Sequence, residues 1–215
     1  MEQNPLVKEK LRKLDELRKS GVEPYPYNYN KTHSTDDVLS KHSKLNPEEI
    51  TTDIVAVAGR IMTLRDMGKA AFCHIQDEFG KIQIYMRKDQ LNNFDILKLL
   101  DLGDIIGVKG KVFKTKTGEI SVWAEELTLL TKSINPLPEK FHGLKDVETR
   151  YRQRYVDLIT NPEVRTIFKT RTAMVKSFRN YLDEKGFLEV ETPTLQPIYG
   201  GANAKPFETY HNELK

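Results

Sequence analysis

The chain has 215 residues, of which 38% are hydrophobic and 30% are charged, a composition typical of a globular protein rather than a disordered one. Its formal net charge is only +3, from 34 basic and 31 acidic residues, so the charge balance neither demands nor excludes a nucleic-acid partner. The single cysteine, Cys73, excludes an internal disulfide and a multi-cysteine zinc site.

The first predicted element is a helix that Asn4 caps and that Pro5 begins. Gly21 ends it. Its two faces differ in chemistry. Leucines at helical spacing mark one face: Leu6, Leu11, Leu14 and Leu17. Basic side chains mark the other: Lys8, Lys10, Arg12, Lys13, Arg18 and Lys19. We interpret the basic face as solvated, in preference to an RNA contact. The proline-rich stretch 24–29 is predicted to be an extended linker.

From Ile54 to Lys132 the pattern predicts a small β domain. Its alternating residues, bounded by turn residues, predict five strands. They start at Ile54–Gly59 and continue with Ala71–Gln76, Lys81–Met86, Gly103–Phe113 and Ile120–Leu130. A short helix is predicted at Asn93–Leu100, between the third and fourth strands. This is the element order of an OB-fold barrel, although the pattern alone leaves it as one of several small β folds.

The alternation within the second and third strands predicts which side chains face outward. The core face is predicted to hold Ala71, Cys73, Ile75, Ile82, Ile84 and Met86. Phe72 then lies outside with His74 and Gln83, and an exposed ring among polar groups is typical of a stacking platform for an unpaired base. The alternative is that Phe72 packs under a loop or a neighbouring domain. We interpret Trp123 as a packing residue rather than a base-stacking one. His33 is a weak candidate for a nucleic-acid contact.

The last third of the chain is predicted to be helical and then extended. Pro136 and Pro138 form a stiff boundary, after which four residues fall at helical spacing: Val147, Tyr151, Tyr155 and Leu158. Asn161 and Pro162 repeat the helix start seen at residue 4. An apolar stripe then marks a long helix that Gly186 ends: Val164, Ile167, Phe168, Val175, Phe178 and Leu182. A strand is predicted from Phe187 to Pro193.

These elements divide the chain into four predicted parts. They are an N-terminal helix and linker (1–50), a β-barrel domain (51–133), a linker with a connecting helix (134–160) and an incomplete domain (161–215). The fold class is therefore α+β.

Three stretches carry a resemblance to a known family. They are 57–62 with 67–72, the run 141–159 that contains Arg-Tyr-Arg-Gln-Arg-Tyr, and 178–207 with its paired glycines at 200 and 201. Together they resemble bacterial-type class II lysyl-tRNA synthetases, and the last stretch resembles motif 1 of that class. The resemblance implies an OB-fold that binds a tRNA anticodon, followed by the start, the motif 1 helix and strand, of an antiparallel α/β catalytic domain.

The resemblance also implies roles for individual residues. Phe72 matches the family's stacking aromatic and Gln83 its uridine-reading glutamine, while Arg65 and Glu119 match flanking anticodon contacts. Pro193 matches the motif 1 proline of a homodimer interface. Gly200 and Gly201 match the loop beside the amino-acid pocket, and a tight turn is an equally compatible reading of them.

For the complete enzyme, the resemblance implies that lysine attacks ATP, with Mg²⁺ and arginines stabilising the phosphate charge, and that tRNA then takes the lysyl group. Motifs 2 and 3 do not occur in these 215 residues, so we assign no catalytic residue and no metal site. We expect this chain alone to be inactive and to bind no cofactor.

Two alternative functions remain open from the sequence. One is a free-standing OB-fold module that binds tRNA or other RNA without catalysis. The other is an aspartate- or asparagine-specific relative. We expect a cytoplasmic protein, because the start of the chain is charged rather than signal-like and no apolar run is long enough to span a membrane.

Overall fold

The computed structural model of the chain describes residues 4–138, 144–195, 205 and 207–213. The chain divides into two compact units, Met1–Val147 and Glu148–Lys215. The helices and strands follow in chain order: α1 Pro5–Lys19, α2 Thr35–Lys41, β1 Ile50–Asp66, β2 Ala70–Gln76, β3 Lys81–Arg87, a 3₁₀ helix Phe94–Leu99, β4 Ile105–Lys114, β5 Ile120–Thr131, α3 Val147–Arg152, α4 Arg154–Thr160 and α5 Pro162–Glu184.

The five strands form a closed barrel in the order β1-β2-β3-β5-β4. Neighbouring strands are antiparallel except for β3 and β5, which pair in parallel and close the barrel. Strand β1 pairs with β4 through residues 50–60 and with β2 through residues 60–66. The predicted OB-fold order, with a short helix between β3 and β4, is confirmed.

The barrel core follows the predicted alternation of the strands. Six predicted core residues are buried: Ala71, Cys73, Ile75, Ile82, Ile84 and Met86. Burial raises the pKa of the Cys73 thiol to about 12, so this cysteine is an inert packing residue at neutral pH. The close approach of β4 to β5 requires a glycine at position 110, because a Cβ there would lie 1.9 Å from the Trp123 carbonyl oxygen.

Helix α1 is attached to the barrel through part of the face that was predicted to be solvated. Leu14 and Leu17 are buried, as their stripe predicts, but Lys10 is buried beside them. The Lys10 Nζ lies 3.3 Å from the Leu102 carbonyl oxygen, and the Lys13 Nζ lies 2.6 Å from Asp101 Oδ1. The prediction of a wholly solvated basic face is therefore wrong at these two lysines, because their amino groups meet acceptors in the loop before β4.

The second helix of the chain was not predicted. Helix α2 lies within the stretch 1–50 that we interpreted as a helix and linker. The Ser34 side chain caps it, and the Asp37 carboxylate accepts a hydrogen bond from the Ser34 backbone N–H at 2.8 Å. This is a capping box with aspartate in the third helical position. Helix α2 has only 7 residues, which is too short for helical periodicity to show.

In the second unit, the connecting segment forms two short helices rather than one. The backbone leaves the helical conformation at Gln153, between α3 and α4. The buried carboxylate of Asp157 accepts hydrogen bonds from Arg150 Nε at 2.8 Å and Asn161 Nδ2 at 2.6 Å, and it also pairs with Arg154. Asn161 occupies the N-cap position of α5, but its side chain makes no capping hydrogen bond, because it bonds Asp157 instead.

Helix α5 ends at Gly186 as predicted. Gly186 has φ +81°, and the Phe187 backbone N–H donates to the Leu182 carbonyl oxygen at 3.1 Å, as in a Schellman cap. The strand predicted from Phe187 to Pro193 is wrong, because the structure assigns neither helix nor strand to these residues. A strand is defined by hydrogen bonds to a neighbour. No helix among the described residues is long and apolar enough to cross a membrane.

Candidate nucleic-acid interface

A cleft of about 550 Å³ lies on the outer side of the barrel. Its lining comes from all five strands of the barrel and from the turn between β4 and β5. Phe72, Gln83 and Arg65 all line this cleft, and Glu119 hydrogen-bonds to Gln83 at its edge. The fold therefore brings together the four residues that were predicted from separate parts of the sequence.

Strand register explains why these side chains meet. Phe72 on β2 lies opposite Tyr85 on β3 and Arg65 on β1. Two residues further along β2, and therefore on the same face, His74 lies opposite Gln83 on β3. Directly opposed residues of antiparallel strands point to the same face of the sheet, so one outer surface receives both the ring and the amide.

The aromatic side of the cleft is a packed group of four rings. Phe72 stacks on Tyr85 with a centroid distance of 4.7 Å and an interplanar angle of 27°. Tyr85 meets the edge of Trp123 at 5.4 Å, and Phe113 lies 5.8 Å from both of these rings. Phe72 is half-buried, so the group supports one ring from behind while leaving part of it open. This confirms the outward orientation of Phe72.

The polar side of the cleft is a chain of hydrogen bonds centred on Glu119. His74 Nε2 lies 2.8 Å from Glu119 Oε1, and Gln83 Nε2 donates to Glu119 Oε2 at 2.7 Å. Ser121 Oγ donates to Gln83 Oε1 at 2.9 Å, and Thr63 Oγ1 lies 2.8 Å from His74 Nδ1. The Gln83 amide is thus held at both ends before any ligand binds.

The turn between β4 and β5 holds Glu119 in this position. The Thr115 backbone N–H donates to the Glu119 carbonyl oxygen at 2.9 Å, and the Thr115 hydroxyl accepts from the Glu119 N–H at 2.9 Å. Gly118 adopts φ +90° between them, a conformation that disfavours other residues.

The cleft is also bordered by positive charge. Arg65 and Lys116 line it and are exposed, and neither makes an ion pair with another described residue. Lys114 lines it too and donates to the Leu45 carbonyl oxygen at 2.8 Å. Unpaired cations beside a half-open ring are suited to binding a phosphate backbone.

Sequence reasoning missed several members of the site. Tyr85 stacks on Phe72, His74 lies 2.8 Å from Glu119, and Thr63 in turn lies 2.8 Å from His74, yet none of the three was predicted as a site residue. Trp123 packs as predicted, and it also lines the cleft. Its indole N–H is buried and has no hydrogen-bond partner among the described residues. Alternation along β3 already placed Tyr85 beside Gln83 and was the available signal.

The remaining predicted residues lie outside this cleft. Pro193 is exposed in the second unit. Gly200 and Gly201 fall outside the described residues. Within residues 4–138, 144–195, 205 and 207–213, no three His, Cys, Asp or Glu side chains cluster so as to hold a metal ion.

Comparison with known families matches both parts of the chain. Residues 55–130 match the OB-fold nucleic acid binding domain, and residues 146–215 match the tRNA synthetases class II (D, K and N). The lysine–tRNA ligase of Carboxydothermus hydrogenoformans is 55% identical over 99% of this chain and 43% of its own length. That of Moorella thermoacetica is 50% identical over 99% and 43%, and that of Bacillus cereus is 52% identical over 94% and 41%.

This chain belongs to the class II lysyl-tRNA synthetase family. The resemblance inferred from the three sequence stretches is confirmed. The chain spans less than half the length of the curated relatives it matches, and it corresponds to their N-terminal part.

Proposed function

We propose that this chain supplies the anticodon-binding domain and the motif 1 region of a lysine–tRNA ligase. The observation that carries the proposal is the half-open ring of Phe72 beside the fixed amide of Gln83, on the barrel of a lysyl-tRNA synthetase relative. An unpaired base stacks on Phe72, and the Gln83 amide bonds the base edge. Arg65 and Glu119 contact the flanking nucleotide groups.

The complete protein uses this domain to select the tRNA that receives lysine. Lysine reacts with ATP to give lysyl-adenylate, Mg²⁺ supports the charge on the phosphate, and the lysine tRNA then accepts the lysyl group. The protein acts in the cytoplasm as a homodimer, with Pro193 at the subunit interface and Gly200 and Gly201 beside the amino-acid pocket. Relatives named lysine–tRNA ligase at 50–55% identity support this assignment.

The stacking role is tested by the substitution Phe72→Ala. Base–aromatic stacking contributes about 1–3 kcal/mol, so we expect affinity for an anticodon stem-loop with the uridine-rich lysine triplet to fall about fivefold to a hundredfold. Phe79→Ala is a matched control, because Phe79 is exposed on the same barrel and does not line the cleft. Affinities are measured by titration at fixed salt, since phosphate contacts make binding steeply salt-dependent.

Thermal unfolding of the same proteins separates binding from stability. A phenylalanine in a barrel core costs about 3–5 kcal/mol when truncated to alanine, whereas the half-buried ring of Phe72 should cost clearly less. A Phe72→Ala protein that melts far below wild type yet binds the stem-loop with unchanged affinity would refute the stacking role. Equal affinity losses for Phe72→Ala and Phe79→Ala would refute it as well.

A further inference from the structure

Thr63 and Glu119 hold the two ring nitrogens of His74, which fixes the orientation of the imidazole and the tautomer of its neutral form. The Thr63 hydroxyl oxygen accepts the His74 backbone N–H at 3.1 Å and lies 2.8 Å from Nδ1. The hydroxyl hydrogen is then free to point at Nδ1, which accepts it. The ring hydrogen is left on Nε2, where the Glu119 carboxylate lies 2.8 Å away and can only accept.

The same carboxylate decides which way round the Gln83 amide lies. Glu119 Oε2 accepts from the amide nitrogen at 2.7 Å, and the Ser121 hydroxyl donates to the amide oxygen at 2.9 Å. Turning the amide over would place its oxygen against a carboxylate oxygen, which is repulsive. One N–H and one lone pair of the amide remain available in a fixed order for a ligand.

A fixed order of donor and acceptor distinguishes the two pyrimidines. Uracil presents a donor at N3 and an acceptor at O4, whereas cytosine presents an acceptor at N3 and a donor at N4. An amide that can turn over pairs with either base, but an amide held one way round matches only one of them in a given stacked orientation. Discrimination therefore depends on what holds the amide as well as on the amide itself.

We propose that His74 is a positioning residue for base discrimination, which acts through Glu119 to hold the Gln83 amide in the orientation that accepts uracil and rejects cytosine. The proposal rests on the proposed anticodon-binding function and adds the element that sets its selectivity. His74 needs no contact with the base, because its effect passes through a carboxylate that bonds both side chains.

Two substitutions of His74 separate the donor to Glu119 from the rest of the ring. In His74→Asn, the shorter amide keeps a polar group near the Nδ1 position for Thr63 but has no donor that reaches Glu119. In His74→Gln, the longer amide places a donor near the Nε2 position. His33→Asn is the control, because His33 lies in the linker before α2 and does not line the cleft.

Two anticodon stem-loops are compared, one with uridine and one with cytidine at the central base. The measured quantity is the selectivity ratio, which is the Kd of the cytidine stem-loop divided by the Kd of the uridine stem-loop. The loss of one hydrogen bond predicts that His74→Asn narrows this ratio about three- to tenfold, while His74→Gln and His33→Asn keep it close to wild type. Thr63→Val, which removes the group that orients the ring, is expected to narrow the ratio as well. Thermal midpoints of the three histidine variants should stay near wild type, and that of Thr63→Val should fall modestly, because the His74 backbone N–H loses its acceptor.

Each possible result decides the matter. A wild-type ratio in both His74→Asn and Thr63→Val would overturn the positioning role and leave anticodon binding intact. Equal narrowing in His74→Asn and His74→Gln would also overturn it, since the shape of the ring rather than the donor would then matter. Failure of the wild-type chain to bind either stem-loop would instead overturn the proposed function, and this inference with it.

Discussion

Lys132 is a fully buried lysine that follows strand β5 in the barrel unit. Its side chain is 0% exposed, and its Nζ lies 2.8 Å from the Leu99 carbonyl oxygen, 2.6 Å from Asp101 Oδ2 and 2.8 Å from Asp104 Oδ2. Burial opposes ionisation of Asp101, but hydrogen bonds from Lys13 and Lys132 outweigh it and lower the pKa of this carboxyl below its ordinary value. One buried ammonium therefore holds the end of β5 against the loop before β4.

Replacement of this lysine by an apolar side chain of similar length should be costly. Lys132→Met leaves the buried Asp104 carboxylate without its cation, and such a loss typically destabilises a protein by about 3–5 kcal/mol. Lys98→Met is the control, because the Lys98–Asp95 pair is 73% and 75% exposed and such pairs contribute less than about 1 kcal/mol. Urea unfolding measures both, and equal free energies of unfolding for the two variants would contradict the structural role of Lys132.

At the scale of single residues, sequence patterns predicted which face of a strand a side chain lies on better than they predicted which residues it contacts. Alternation along β2 and β3 placed Phe72 and Gln83 on one outer face, because side chains of a strand alternate without exception in a regular ladder. Strand alternation could not predict that Trp123 packs on Tyr85, since this contact depends on the parallel pairing of β3 with β5 across distant sequence. The contacts of Lys132 with Asp101 and Asp104 were not predicted either, because they also join residues that are far apart in the sequence.

At the scale of elements, length decided what could be predicted. Helices α1 and α5 have 15 and 23 residues, proline at their starts and glycine after their ends. Helices α2, α3 and α4 have only 7, 6 and 7 residues. A short helix forms because tertiary contacts hold it, and those contacts are not visible in a local pattern.

The carboxylate of Asp77 joins α2 to the turn between β2 and β3. Its carboxylate accepts from Lys31 Nζ at 2.8 Å, from the Thr35 N–H at 2.9 Å and from the Thr35 hydroxyl at 2.6 Å. It also accepts the Phe79 and Gly80 backbone N–H groups at 2.9 and 3.0 Å. Burial opposes ionisation, but the hydrogen bonds outweigh it and hold the pKa of Asp77 well below its usual range.

The lowered pKa predicts a dependence of stability on pH. Because the folded pKa lies below the unfolded value of about 3.9, ionised Asp77 stabilises the fold above that value. This contribution is lost as the pH falls towards the folded pKa. Asp77→Asn should cost about 1–3 kcal/mol at neutral pH and should flatten the acid decline of the free energy of unfolding.

Urea unfolding from about pH 7 to about pH 2 measures this decline. Asp95→Asn serves as the control, because the Asp95 side chain is 75% exposed, and it should leave both stability and the decline unchanged. The assignment of the acid decline to Asp77 would be wrong if Asp77→Asn lost stability in parallel with wild type over the whole pH range.

At the scale of the whole molecule, the two units bury their apolar residues to very different extents. The barrel unit holds a continuous core of buried side chains drawn from every strand, from α1 and from α2. In α5, Val164 is the buried residue, while other apolar members of its predicted stripe are exposed in the described part of the unit. The predicted parts of the chain bounded at residues 50, 133 and 160 stay predictions, although the family matches at 55–130 and 146–215 lie on either side of the proline-rich boundary.

The exposed stripe of α5 predicts that copies of this chain associate through the second unit. Phe178 is 63% exposed and lies on the same helix as the exposed Ile167 and Leu182, and exposed apolar faces of this kind are typical of protein interfaces. Phe178→Asp should weaken self-association at least about tenfold, because aromatic residues dominate interface energies. Ser177→Asp introduces the same charge at the neighbouring exposed position and should have little effect on self-association.

Sedimentation over a range of concentrations measures the dissociation constants of self-association. A monomeric wild-type chain, or equal constants for the two variants, would show that this stripe is not the contact.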